Sequence, residues 1–210
     1  MAVEEMEVVL ALTFDYGQMA SQPEIRCSRA LSAHYKVPHK VIDLRWFNDF
    51  SRSALNQKQV LPVDREISID DVDASSRSAQ KVWVPNRNGI FLNVAAGYAE
   101  GLEAEWVIPG FNKEEAQTFP DNSENFMAAL NESFRFSTAG PVRVKCFTAA
   151  MDKSRIVAEG LKRHLDFSTL WPCYQDQKHW CGSCESCQRF RRALKNQNLD
   201  FEEWRFQGGE

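Results

Sequence analysis

Four cysteines fall inside fifteen positions of the segment WPCYQDQKHWCGSCESCQRF, residues 171–190. Thiolates bind borderline-soft cations tightly, and four of them can close a tetrahedral zinc site. Seven residues separate Cys173 from Cys181, and two separate each of Cys181, Cys184 and Cys187. A CxxC pair sets two sulfurs on one face of a tight turn, with Gly182 permitting the bend, and Cys187 is expected on the first turn of a following helix. Arg189, Arg191 and Arg192 could offset the negative charge of a metal bound by four thiolates. An iron–sulfur cluster is the alternative, although in ferredoxin-like runs the fourth cysteine follows downstream and precedes proline. Here Pro172 precedes Cys173. His179 reads as a bystander. Four protein ligands leave no position open to a substrate, so the expected role of the metal is structural.

Cys27 and Cys146 stand apart in apolar stretches, where a thiol packs as a small hydrophobe. The 210 residues, 43% hydrophobic, are enough for one core with a small extension. A net charge of −4 and a pI near 5.7 argue against a broad nucleic-acid-binding surface and favour small-molecule chemistry. No run reaches the roughly 18 apolar residues of a membrane helix, and MAVEEMEVV has neither a basic region nor a cleavage-like site. The expected location is cytoplasmic.

The elements that would position a site alternate between strand and helix. EVVLALTF (7–14) and HKVIDL (39–44) read as strands. Between them, Ser21 and Glu24 form a capping box for a helix reaching about Tyr35. A polar, acidic stretch from Gln57 to Arg87 is a long loop. NGIFLNVAAGYAEGL (88–102) reads as a buried helix, started by Asn88 and ended by Gly101. AEWVIPG (104–110) and PVRVKCF are further strands, each followed by a helix, the first of these carrying Phe126, Leu130 and Phe134 and the second starting near Asp152. Such alternation predicts a parallel α/β sheet with helices on both faces. Ligands in such folds lie beyond the carboxyl ends of strands. That rule collects Asp15–Gln18, Gly110–Asn122 and Cys146–Lys153 on one rim.

TFDYGQ, VPNRN, GFNKEEAQTFPDNS, DKSRI and CYQDQKHWCGSCESC, in this order, resemble the 7-cyano-7-deazaguanine synthase family of ATP pyrophosphatases across essentially the whole chain. The resemblance implies a Rossmann-like domain over 1–170 and a zinc-binding extension over 171–210. It also implies ATP-dependent conversion of 7-carboxy-7-deazaguanine and ammonia to the nitrile, with Mg2+, for queuosine and archaeosine synthesis, and a homodimer. A different ATP pyrophosphatase, such as an amide ligase or a tRNA sulfur-transfer enzyme, and a noncatalytic deazaguanine binder are the competing readings.

Within the matching motifs, Arg87 and Asn88 could bind phosphate or the substrate carboxylate, and Lys153 could neutralise a phosphate. Asp121 could accept hydrogen bonds from a guanine-like edge or hold Mg2+, its competing role being a helix cap. Asp15, Tyr16 and Gln18 lie near where the family receives its nucleotide, with packing the alternative for Tyr16. Two departures from the family pattern are visible. Met19 and Ala20 follow DYGQ where several members have Arg and His. The family also carries an SGGxDS phosphate loop ahead of the segment matched by TFDYGQ, and no glycine-rich run of this chain replaces it. The simplest expectation is that this loop, with its strand, is encoded upstream of Met1.

Overall fold

A computed structural model describes residues 1–56 and 80–205. Most of the long polar stretch expected from Gln57 onward therefore lies outside the described residues. The chain forms two compact units, Met1–Leu10 with Pro85–Asp152, and Ala11–Val84 with Lys153–Glu210. Each contains a parallel strand pair.

The second unit holds β1 (Ala11–Asp15), α2 (Ser21–His34) and β2 (His39–Asp43), with Ala11 opposite His39 and Asp15 opposite Asp43; α1 (Ala2–Glu5) belongs to the first unit. Parallel neighbours need a crossover, which α2 supplies. Its start departs from the expected capping box: Ala20 is the cap, Ser21 is already helical and its buried hydroxyl has no hydrogen-bond partner. Glu24 is instead held by Gln18, whose amide nitrogen donates to it at 2.8 Å.

The first unit is built from α3 (Arg87–Gly101), β3 (Trp106–Val107), α4 (Lys113–Ala116), α5 (Glu124–Ser137) and β4 (Arg143–Val144). The third and fourth strands are much shorter than their apolar runs suggest, and they pair parallel. Asn131 of α5 explains how the far side of β4 ends: its side-chain oxygen accepts from the Val144 N–H at 2.7 Å and its nitrogen donates to the Val144 carbonyl at 3.5 Å. A side-chain amide thus takes the place of a further strand. Leu92, Ala96, Met127, Leu130, Phe134, Val107 and Val144 form the core of this unit.

The C-terminal part of the second unit carries α6 (Lys153–Lys162), α7 (Glu185–Lys195) and α8 (Phe201–Arg205). Trp180, Phe167, Ala193, Leu194 and Phe201 pack with Cys173, Cys184 and Cys187 in one cluster, so the cysteine motif is part of a hydrophobic core. Among the described residues no helix is long and apolar enough to cross a membrane.

Candidate metal centre and substrate-binding residues

The ligand atoms of Cys173, Cys181, Cys184 and Cys187 lie within 4.8 Å of one another, and none of these cysteines is in a disulfide. The Cys181 and Cys187 sulfurs are 3.9 Å apart. With zinc–sulfur bonds of about 2.3 Å, a tetrahedron has sulfur–sulfur edges of roughly 3.8 Å, so the donor set fits the ion. Cys184 and Cys187 are wholly buried, while Cys181 is partly exposed.

Backbone N–H groups point at two of the sulfurs. Those of Gln175 and Cys181 donate to Cys173 at 3.4 Å each, and those of Ser183 and Cys184 donate to Cys181 at 3.4 and 3.3 Å. The turn that allows this places Gly182 at a φ of 75°, the left-handed region that favours glycine. Hydrogen bonding from Cys173 pulls the Cys181 thiol down towards thiolate, and interaction with Cys173 pushes Cys184 and Cys187 up. Four sulfurs this close cannot all carry charge without a cation to share. As expected, His179 is outside the cluster and Cys187 sits in the first turn of α7.

Two of the three arginines singled out in the sequence are paired with carboxylates. Arg189 forms a buried pair with Glu185, its Nε and Nη2 donating to one carboxylate oxygen at 3.0 and 2.8 Å. Arg191 bonds Glu202 at 3.1 Å and lies over the Phe201 ring. The arginine that grips the cysteine turn is Arg205, which donates to the Trp180 carbonyl at 2.7 Å and the Cys181 carbonyl at 3.1 Å. It lies eighteen residues beyond Cys187 in sequence, with no periodic signal to connect them.

In the same unit, Asp15, Tyr16 and Gln18 form one turn after β1. The Asp15 carboxylate accepts from the Gly17 N–H at 3.1 Å. Gln18 is buried and bridges the turn, accepting from the Tyr16 N–H at 2.9 Å and donating to the Phe14 carbonyl at 3.1 Å. Tyr16 is buried edge-on against Phe47. Asn56, which the sequence did not single out, donates to the Tyr16 carbonyl at 2.7 Å and is itself bonded to buried Ser51. Lys153 opens α6.

In the first unit, the structure brings Arg87, Asn88 and Asp121 together. Asn86, in a left-handed conformation with φ 51°, is the residue before α3, so Asn88 is inside the helix and does not cap it. Its side chain instead accepts from Arg87 Nε at 3.4 Å and donates to the Asp121 carbonyl at 3.3 Å. The cap role open to Asp121, Asn122 or Ser123 falls to Ser123, which accepts from the Phe126 N–H at the start of α5. Asp121 keeps its carboxylate for other contacts, one of them a 3.1 Å hydrogen bond from buried Asn122. Burial pushes the Asp121 carboxyl above the ordinary aspartate range, and the nearby Arg87 charge opposes that shift. A cationic fork and a half-buried carboxylate thus flank the first turn of a fifteen-residue helix, whose N–H groups and dipole favour anions.

A family model described as "Queuosine biosynthesis protein QueC" matches residues 1–198. The chain belongs to the QueC family. Its relatives include a 7-cyano-7-deazaguanine synthase of Bdellovibrio bacteriovorus, 48% identical over 195 residues, covering 92% of this chain and 84% of that protein. Another of the same name, from Desulforudis audaxviator, is 47% identical over 92% of this chain and 88% of its own length. A third of that name, from Methanosarcina mazei, is 39% identical over 93% of this chain and 86% of its own length. The QueC match contains the four cysteines, Arg87, Asn88 and Asp121, and ends before Arg205.

Proposed function

We propose that this QueC-family protein is a 7-cyano-7-deazaguanine synthase, converting 7-carboxy-7-deazaguanine and ammonia to the nitrile at the expense of ATP in queuosine and archaeosine synthesis. A Rossmann-like ATP pyrophosphatase domain over 1–170 with a zinc-binding extension over 171–210, acting as a cytoplasmic homodimer, belongs to this reading. The names of its relatives support it. The structural observation that carries it is the Arg87–Asn88–Asp121 cluster at the start of α3.

A carboxylate is a poor electrophile because its leaving group would be oxide. Attack of its oxygen on the α-phosphorus of ATP expels pyrophosphate and leaves an acyl adenylate, from which ammonia displaces AMP to give the amide. A second adenylation, now on the amide oxygen, makes that oxygen a leaving group. Loss of AMP and the N–H protons then forms the carbon–nitrogen triple bond.

Arg87 would hold a phosphate or the substrate carboxylate with its planar fork, and Asn88 would fix that fork relative to Asp121. Lys153, in the second unit, would neutralise a phosphate. Asp121 would receive the N–H edge of the deazaguanine or serve as the hard oxygen ligand of Mg2+, an ion that screens phosphate charge when bound. In the second unit, Asp15, Tyr16 and Gln18 are proposed nucleotide-binding residues, Gln18 acting through the turn it braces. Zinc bound by the four cysteines would cross-link the C-terminal core and take no part in the reaction.

The test is incubation of the zinc-loaded protein with 7-carboxy-7-deazaguanine, ammonium and MgATP, followed by mass spectrometry of the base. Nitrile is the expected product. An amide as final product would favour an amide ligase, and deazaguanine binding without ATP consumption would favour a noncatalytic binder. Rapid alkylation of the cysteines in the zinc-loaded protein would favour sulfur transfer.

A further inference from the structure

The QueC match ends before α8, yet this short helix carries the group most intimately joined to the cysteine turn. Arg205 donates through Nε to the carbonyl of Trp180 and through Nη2 to that of Cys181. The first contact matters because the Trp180 carbonyl and the Cys181 N–H belong to one peptide unit. That N–H donates to the Cys173 sulfur at 3.4 Å. A cation on the oxygen of a peptide polarises the whole unit and makes its N–H a stronger donor, as hydrogen bonds in chains reinforce one another. The second contact fixes the next peptide plane, leading into Gly182 and the Ser183 and Cys184 N–H groups that bond the Cys181 sulfur.

Arg205 is itself held in place. Glu202 accepts from Arg205 Nη1 at 3.1 Å and from Arg191 Nη2 at 3.1 Å, so one carboxylate braces two guanidinium groups beside the turn. A β-carbon at Gly182 would stand 3.0 Å from Arg191 Nη2 and 3.5 Å from Arg205 Cζ, showing how closely both approach the backbone. Beneath them, the Phe201 ring packs against wholly buried Trp180 with centroids 5.4 Å apart. Arg205 thus anchors the backbone of Cys181, the one cysteine of the four that is partly exposed.

We propose that Arg205 is a positioning residue of the metal centre, orienting the 180–182 peptides onto the thiolates and thereby slowing loss of the ion; this rests on the four cysteines holding zinc. Partners that orient ligands typically change metal affinity by about 10–100-fold. The test compares wild type with Arg205→Met, which keeps the apolar stem but no donor, and Arg205→Lys, which keeps the charge on a single donor nitrogen in place of the two-nitrogen fork. Each zinc-loaded protein is mixed with a coloured chelator at a temperature where its circular dichroism is native, and the rate of zinc transfer is recorded. Arg205→Met should release zinc about 10–100-fold faster, with Arg205→Lys in between. In cobalt-substituted protein the thiolate-to-cobalt band should move in Arg205→Met and be largely restored in Arg205→Lys.

Release from Arg205→Met at the wild-type rate overturns the proposal, because packing alone would then suffice. Should Arg205→Met not fold, Arg205→Lys decides: its single nitrogen cannot reproduce the planar fork whose two nitrogens reach the two carbonyls, so a wild-type release rate overturns the proposal equally. A wild-type protein that takes up no zinc would instead refute the metal reading itself, which is a different result.

Discussion

At the scale of single residues, the first unit places a carboxylate where burial disfavours its charge. The folded Asp121 carboxyl holds its proton to higher pH than an unfolded one. Stability should therefore fall as pH rises from the ordinary aspartate value, about 3.9, through the raised one. Asp121→Asn removes that penalty with nearly the same shape, and its amide can still bond Asn122. Its melting temperature at pH 7 should exceed that of wild type, with the gap closing near pH 3, while nitrile formation is lost. Equal melting temperatures at pH 7 would mean that the charge costs nothing. A group that destabilises the free protein and is retained for binding fits the general exchange of stability for function.

Elements were legible in the sequence where burial has a period. The stripe of α5 and the inner face of α6 follow from spacing, α3 from an apolar run with no single stripe, and the cysteine motif announced its own turn and helix. Element ends were less legible because several polar residues compete for one backbone group, and tertiary contacts choose the winner. Gln18 captures Glu24, which dissolves the capping box of α2. A left-handed Asn86 starts α3 and frees Asn88 to join Arg87 with Asp121. Neither Asn56 under the Asp15–Gln18 turn nor Arg205 on the cysteine turn had a local signal, since their partners are forty and some twenty-five residues away.

The same lesson applies to β4, whose outer edge is finished by the side chain of Asn131. Asn131→Ala leaves the N–H of buried Val144 without that acceptor, and should cost about 1–3 kcal/mol in urea unfolding together with faster exchange of the Val144 amide. An unchanged urea midpoint would show that water replaces the amide. On α6, Glu159 receives hydrogen bonds from Arg163 and Lys162 and pairs with Arg155, and these hold its carboxyl down to about 2. A depressed acid stabilises the fold above its unfolded value and loses that contribution as pH falls towards the folded one. Between about pH 4.5 and 2, wild type should lose stability more steeply than Glu159→Gln in a denaturant series. Parallel curves would assign the acid sensitivity elsewhere.

At the scale of the whole molecule, the two units have different kinds of core. The one containing Met127, Leu130 and Phe134 is built from aliphatic and aromatic side chains on α3, α5, β3 and β4, with Cys146 at its margin. The other includes three of the four clustered cysteines among its buried members, packed with Trp180, Phe190, Leu194 and Phe201. Removing a structural metal from such a core leaves buried thiolates that repel one another or must take up protons, so metal binding there is folding free energy. A strong chelator should therefore abolish hydrogen-exchange protection over α7 and α8 first, while amides in the middle of α3 and α5 remain protected. The same selectivity should appear in Cys184→Ser, which removes a wholly buried ligand. If chelation deprotects both sets of helices together, the molecule unfolds as one cooperative body and the metal supports all of it. If neither set responds, the hydrophobic packing around Trp180 is sufficient and the metal adds little to the fold.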